Sequence, residues 1–220
     1  MSSDRRWPYL TVAILVGSVL LYAAHGQVLL EQLAASGPIG RLLSFLLHPF
    51  AHNKEDVWHI VGDIGLGFFV MGTLIESWVA LGWKYRYQMY GLSYVSSLLA
   101  DVMMWKWRGA FIGLSGFVCA GIAFLIAYYV SSFRNLPMRR LRDTLGPLGV
   151  GYLIPFVVTS ILLTLSYPQN LSIQNTAIYH CVAFSLGFVL AVDLLLRTQL
   201  RDMLRRCRHI TSHHPTKGLL

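Results

Sequence analysis

The chain has 220 residues, of which 55% are hydrophobic and only 13% are charged. That charged share is about half of what soluble domains carry, and a soluble fold of this size could not bury so much apolar surface. Lipid is therefore the expected solvent. The formal net charge of +8 does not indicate a nucleic-acid partner, because the basic residues fall in short clusters between apolar runs.

Six apolar stretches predict six transmembrane helices. Each holds about 20 residues, enough to cross about 30 Å of hydrocarbon at about 1.5 Å per residue. They cover residues 8–30, 57–82, 87–105, 110–132, 146–166 and 175–196. The apolar piece Arg41–Leu47, between the first two, is too short to span. We therefore expect a partly inserted or interfacial loop between helices 1 and 2.

The basic residues predict how these spans are oriented. If the N-terminus is cytoplasmic, only Arg41, Lys54, Lys106 and Arg108 lie outside, and all other basic residues lie inside. The positive-inside rule then predicts a multi-pass protein of the cytoplasmic membrane with both termini in the cytoplasm. The expected fold is an all-α, polytopic bundle that forms one domain over residues 1–200. A basic, histidine-containing tail follows at 201–220.

Polar side chains inside a bilayer are costly, so each is a candidate for a functional site. Spans two, four and six all run from outside to inside. His59 and Asp63 lie near the start of span two, Ser115 near the start of span four, and His180 near the start of span six. Each lies within about two turns of its helix start, about 5–10 Å below the outer face. The predicted topology therefore gathers these four residues in one layer.

Two glycines flank the serine in the sequence Gly113, Leu114, Ser115, Gly116. They allow an irregular helix start and close backbone approach. A helix beginning here would aim free N–H groups and its positive dipole end at a developing oxyanion. The alternative is a Gly/Ser helix-packing motif of the kind common in membrane spans, and these four residues alone favour that alternative.

Small residues recur after His180 on span six and after Ser115 on span four. They are Ala183, Gly187 and Ala191 on the first and Gly116 and Ala120 on the second. Such faces let two backbones approach closely, which would bring His180 within hydrogen-bonding reach of the serine hydroxyl and activate it as a nucleophile. Taken alone, a buried histidine could instead bond a neighbouring hydroxyl or carbonyl group. Together with a serine at the same depth, it favours a catalytic pair.

Five motifs, in this order along the chain, resemble those of the rhomboid family of intramembrane serine proteases. They are HPFAH at 48–52, HIVGD at 59–63, GTLIE at 72–76, GLSG at 113–116 and HCVAFSLG at 180–187. GLSG matches the family's nucleophile motif GxSG. The last motif resembles the family pattern HxxGxxxG, with Ala183 at the first glycine. The resemblance covers about residues 8–196.

The resemblance implies a six-helix bundle that is open to water on its outer side and uses no metal or other cofactor. Ser115 would attack the scissile carbonyl, and His180 would act as the base. His59 and the backbone N–H groups near Leu114 and Ser115 would form the oxyanion hole, with Asp63, Gly113 and Gly116 supporting it. The expected partners are the lipid bilayer and transmembrane protein substrates, which would be cut near the outer face. The oligomeric state is not predicted.

Two departures from the family pattern motivate a second hypothesis, a catalytically inactive rhomboid-like pseudoprotease that binds membrane helices. Asp63 stands where the family usually has asparagine, and Cys119 stands where an aromatic residue often stacks on the histidine. Phe117, Phe184 or Tyr179 would then have to hold the imidazole. Structural roles are expected for His48, His52 and Glu76, and no role is assigned to Asp101 or Asp193.

Overall fold

The computed structural model describes residues 8–52, 61, 68–78, 83–108, 113–132 and 171–212, and all regular structure within these ranges is helical. An all-α fold was predicted, and the described residues agree. The helices are α1 (Tyr9–Ala23), α2 (Gly26–Ala35), α3 (Pro38–Leu47) with a 3₁₀ turn (His48–Phe50), α4 (Phe69–Thr73) with a π-helical turn (Leu74–Trp78), α5 (Trp83–Arg108), α6 (Ser115–Ser132) and α7 (Leu171–Ser212).

Helix α6 is the central element of the described fold. Nearly every side chain along its first three turns is buried, which is the behaviour of a helix that is apolar on all sides. Helices α5 and α7 pack directly against it. Phe117 joins an aromatic cluster with Phe68, Tyr90 and Tyr94, at centroid separations of 5.2 to 6.0 Å. The core therefore forms around α6 and links it to α4 and α5.

The helix predicted over residues 8–30 is broken after Ala23. Helices α1 and α2 meet at an angle of 82°, and His25 between them adopts a left-handed backbone with φ of 56°. A residue in this conformation cannot continue a right-handed helix. The helix over residues 8–30 is therefore not continuous, and α1 alone is 15 residues long.

Glu76 fastens the start of α1 to the π-helical turn after α4. Its carboxylate accepts hydrogen bonds from the backbone N–H groups of Leu10 and Thr11 at 3.0 and 2.8 Å, and from the Thr11 hydroxyl at 2.5 Å. Helix α1 has no side-chain cap of its own. An acidic group at this position satisfies two of its free N–H donors and complements the helix dipole. Glu76 thus has the structural role expected for it.

Within the described ranges, one helical segment, Thr176–Thr198, is long and apolar enough to cross a membrane. The bent pair α1 and α2 counts as a second such segment if it forms a single span. Helix α5 covers the third predicted span, at 87–105, but it does not meet the same criterion of length and apolar composition. The fifth predicted span, at 146–166, and most of the second, at 57–82, lie outside the described residues. Helix α7 continues beyond the predicted boundary at residue 200 as far as Ser212.

Candidate active site

Ser115 is the first residue of α6, and the chain turns sharply just before it. Gly113 has a φ of +119°, a backbone conformation that side chains with a Cβ rarely adopt. The first helical hydrogen bond follows at once, from the Val118 N–H to the Leu114 carbonyl oxygen at 2.9 Å. Ser115 is half-buried. The N–H groups of the first turn have no acceptor within the helix, so Ser115 lies beside a set of backbone donors.

The first turn of α6 packs against α7 at Tyr179. A Cβ on Gly116 would overlap the Tyr179 hydroxyl and would lie 2.8 Å from Oγ of Ser97. The Tyr179 and Ser97 hydroxyls share a hydrogen bond of 3.0 Å. Gly116 is therefore required by close packing, which was the alternative explanation of the GLSG sequence. The same contact brings the residue after Ser115 next to the residue before His180.

Further along both helices, Gly187 packs on the backbone of Ala120. A Cβ on Gly187 would lie 2.7 Å from the Ala120 Cα atom and 2.7 Å from its carbonyl oxygen. Because later residues of α6 contact later residues of α7, the two helices run parallel. Ala183, which shares this face, is fully buried. The small residues predicted to allow close approach therefore lie between these two helices.

His180 lies on the side of α7 that faces α6. Gly187 and Ala191 follow it by seven and eleven residues, which at about 100° per residue places all three within about 20° of one direction. Gly187 contacts α6, and Ala191 is fully buried. The Nε2 atom of His180 is also shielded from solvent. The imidazole thus belongs to the face that packs on the serine-bearing helix.

The ring next to the imidazole comes from Tyr179. Its centroid lies 5.7 Å from that of His180, with an interplanar angle of 49°. Cys119, one turn after Ser115, is buried in a cluster that includes Tyr179 and Ala183, so an aromatic side chain at this position would overfill the space. Phe117 packs in the separate aromatic cluster described above. Of the residues proposed to hold the imidazole, Tyr179 has a direct ring contact with it.

Asp101 and His48 form a buried pair beside this site, which the sequence reasoning missed. Nε2 of His48 lies 2.9 Å from Oδ2 of Asp101, and the two side chains are only 5% and 1% exposed. Asp101 belongs to α5, and its carboxylate also interacts with the Tyr179 hydroxyl. Asp101 therefore has a partner and a place in the core. The sequence did contain a signal that Asp101 is paired, because an ionisable residue within an apolar span needs a partner.

The His48 ring contacts two parts of the chain. Its Nδ1 atom lies 2.5 Å from the Phe45 carbonyl oxygen, which can only accept, so Nδ1 carries a hydrogen. Its Nε2 atom faces the Asp101 carboxylate on α5. His48 therefore braces the turn after α3 against α5, in the structural role expected for it.

The remaining predicted site residues, His59 and Asp63, lie outside the described residues. Across the described ranges, no group of three or more His, Cys, Asp or Glu side chains is arranged to hold a metal ion. Comparison of the chain with models of protein families, with curated proteins and with solved structures found no match in any of the three.

Proposed function

We propose that this chain is an intramembrane serine endopeptidase of the rhomboid type, a six-helix membrane protein that cuts transmembrane substrates near their outer ends. Ser115 is the nucleophile and His180 the base. The observation that carries the proposal is the parallel packing of α6 on α7, with Gly116 against Tyr179. This contact brings the residue after Ser115 next to the residue before His180, and a Ser–His dyad requires close approach of the two helices at this point.

The distribution of polar and apolar side chains supports the membrane location. Residues on the exposed faces of α1, α5 and α7 are large and apolar, whereas several fully buried ones are polar. The exposed group includes Leu20 at 62%, Met103 at 62%, Val189 at 64% and Leu196 at 60%, and the buried group includes Thr11, Ser18, Ser93 and Ser97. A protein in water would place these side chains the other way round. In lipid, apolar faces turned outward are satisfied, and buried hydroxyls can link separate helical elements, as those of Thr11 and Ser97 do.

Helix α3 supports a position at the membrane surface for the segment between the first two spans. It is 10 residues long, so it rises only about 15 Å. Ile39, Leu42, Leu43 and Leu47 are all exposed on it. Successive members of this set are three, one and four residues apart, which keeps them on one side of the helix, as in an interfacial helix. The turn that follows α3 is fixed to α5 by His48.

The chemistry proceeds by acyl transfer. Ser115 Oγ attacks the scissile carbonyl carbon while His180 takes the hydroxyl proton, and the carbonyl oxygen becomes an oxyanion. His180 then gives its proton to the leaving amine as the peptide C–N bond breaks, which leaves an acyl-enzyme that water hydrolyses by the same steps. The free N–H groups of the first turn of α6 are the donors proposed to stabilise that oxyanion, and such stabilisation is a large part of catalysis in serine peptidases. No cofactor takes part.

The second candidate is the rhomboid-like pseudoprotease, which Asp63 favours. A carboxylate at a position that supports the oxyanion would oppose catalysis if it were ionised. The Cys119 departure no longer favours this candidate, because Tyr179 supplies a ring beside the imidazole. The two candidates differ in one chemical property: only the peptidase has an activated serine.

Labelling of the purified protein with a serine-reactive fluorophosphonate tests the proposal, together with cleavage of a transmembrane substrate in proteoliposomes. We expect the wild type to label and cleave, and Ser115→Ala and His180→Ala to do neither. Ser131→Ala is the matched control, since Ser131 lies on the same helix and only donates a hydrogen bond to the Tyr128 carbonyl oxygen. Labelling and cleavage that survive in Ser115→Ala would refute the proposal, and a wild type that never labels would favour the pseudoprotease.

A further inference from the structure

A second polar site lies at the far end of the bundle, between α5 and α7. It is a cavity of about 220 Å³, lined on α5 by Tyr85, Gln88 and Leu92 and on α7 by Asp193, Leu194 and Arg197. Asp193 and Arg197 follow His180 by 13 and 17 residues, so they lie about 20 to 26 Å further along the helix axis. With His180 about 5–10 Å below one face of a bilayer core about 30 Å thick, the cavity lies at the opposite headgroup layer.

Arg197 can bind a further anion in this cavity. Its Nε atom is the one paired with Asp193, at 2.9 Å from Oδ1 and 2.8 Å from Oδ2. The two terminal amino groups of the guanidinium keep four N–H donors, in the planar fork that matches phosphate oxygens. The Tyr85 hydroxyl adds another donor to the lining. One side of the cavity is therefore suited to a phosphate group.

Gln88 indicates a hydrogen-bond donor in the ligand. Its Oε1 atom is buried, and no hydrogen bond to it is found in the part of the chain that the structure describes. A buried acceptor left unpaired is costly. Together with the Asp193 carboxylate, this atom would accept from a group with several N–H bonds. The formal charges of Asp193 and Arg197 cancel, which suits a zwitterionic ligand better than a purely anionic one.

We propose that this cavity binds the headgroup of an aminophospholipid, a phosphate ester that carries a primary ammonium group. The phosphate contacts the Arg197 amino groups and the Tyr85 hydroxyl, and the ammonium donates to Asp193 and Gln88 Oε1. The volume is below the range of about 300–1,000 Å³ typical of whole-ligand pockets, so the acyl chains stay outside, against Leu92 and Leu194. The inference rests on the proposed membrane location but not on the proposed catalysis.

Binding of short-chain lipids to the full-length Ser115→Ala protein in detergent tests this assignment without any contribution from proteolysis. The probes are dihexanoyl phosphatidylethanolamine, phosphatidylcholine and phosphatidylglycerol, with free O-phosphoethanolamine as the soluble source of the same headgroup. We expect phosphatidylethanolamine to bind at least about tenfold more tightly than the other two lipids, since the quaternary ammonium of choline has no N–H and glycerol has no cation.

Variants of the lining separate this site from general lipid attraction. Arg197→Gln and Gln88→Leu should each reduce phosphatidylethanolamine affinity about tenfold. Lys84→Gln, which removes an exposed charge outside the lining, should leave the phosphatidylethanolamine affinity unchanged.

Equal binding of the three lipids, or unchanged binding by the two lining variants, would overturn the proposal. If free O-phosphoethanolamine binds as tightly as the lipid, the ligand is a soluble phosphate ester. A protein that does not need detergent for extraction would instead refute the membrane location.

Discussion

Gly187→Ala is expected to push α6 and α7 apart. The added Cβ would lie 2.7 Å from the Ala120 Cα atom and its carbonyl oxygen, and 3.0 Å from its Cβ. Two of these atoms belong to the backbone, so no change of rotamer can relieve the overlap. Ordinary carbon–carbon contact is about 3.5–4.0 Å, and the two helices must therefore separate by about 1 Å at this point.

The magnitude of the effect should differ between stability and catalysis. Overpacking a tight contact destabilises a protein by about 1–3 kcal/mol. Alanine in place of a helical glycine stabilises the helix by about 1 kcal/mol through its higher helix propensity, so the net loss of stability is small. Gly187 lies about two turns from His180 on the same side of α7. A shift of about 1 Å in a catalytic group can lower the rate about 100-fold, and we expect that loss in kcat rather than in KM.

The assay measures kcat and KM for a transmembrane substrate in proteoliposomes, together with the unfolding temperature of the same preparation. Gly91→Ala is the matched control, because Gly91 lies within α5 and a Cβ there would meet nothing within 4 Å. It should keep the wild-type kcat and unfold at the same or a higher temperature. Wild-type kcat in Gly187→Ala, accompanied by a gain in stability, would refute both the close packing at Ala120 and its link to the dyad.

Substitutions at three further positions test other contacts of the fold. Asp101→Ala leaves Nε2 of His48 unpaired in the core and should cost about 3 kcal/mol in detergent unfolding. Asp101→Asn should cost less, because its amide can donate to Nε2, and equal losses would argue against the pair. Glu76→Gln keeps one acceptor for the start of α1 and should lose about 2 kcal/mol, with Tm as the readout. Cys119→Tyr should destabilise by about 1–3 kcal/mol through overpacking, and higher activity in this variant would mean that the space beside Cys119 is larger than described.

Local features of the sequence predicted two structural features around the candidate site. Gly113 before Ser115 predicted an irregular helix start, and its positive φ has that effect. The small residues after His180 predicted close helix packing, and Gly187 meets the Ala120 backbone. Both inferences depend on residues within a few turns of each other, where helical periodicity relates sequence position to direction.

Two other features of the fold were not predicted. The His48–Asp101 pair joins a loop to a helix far along the chain, and hydropathy carries no information about which polar residues meet. The break after Ala23 depends on the left-handed backbone of His25, a conformation that any residue other than glycine adopts in only a few per cent of cases. A polar residue within an apolar run marked the position, but it could equally have pointed inward on an unbroken helix.

Polar contacts also explain how the helices find their register. In the proposed membrane location, apolar faces would pack against each other or against acyl chains with little preference, so directional contacts would decide the alignment. Tyr179 provides such contacts, since its hydroxyl bonds Ser97, interacts with Asp101 and packs on Gly116. A shift of α7 by one residue would turn this hydroxyl away by about 100° and leave it unpaired among apolar side chains. His180 is the next residue, so the bonds that hold Tyr179 also determine where the imidazole lies relative to the first turn of α6.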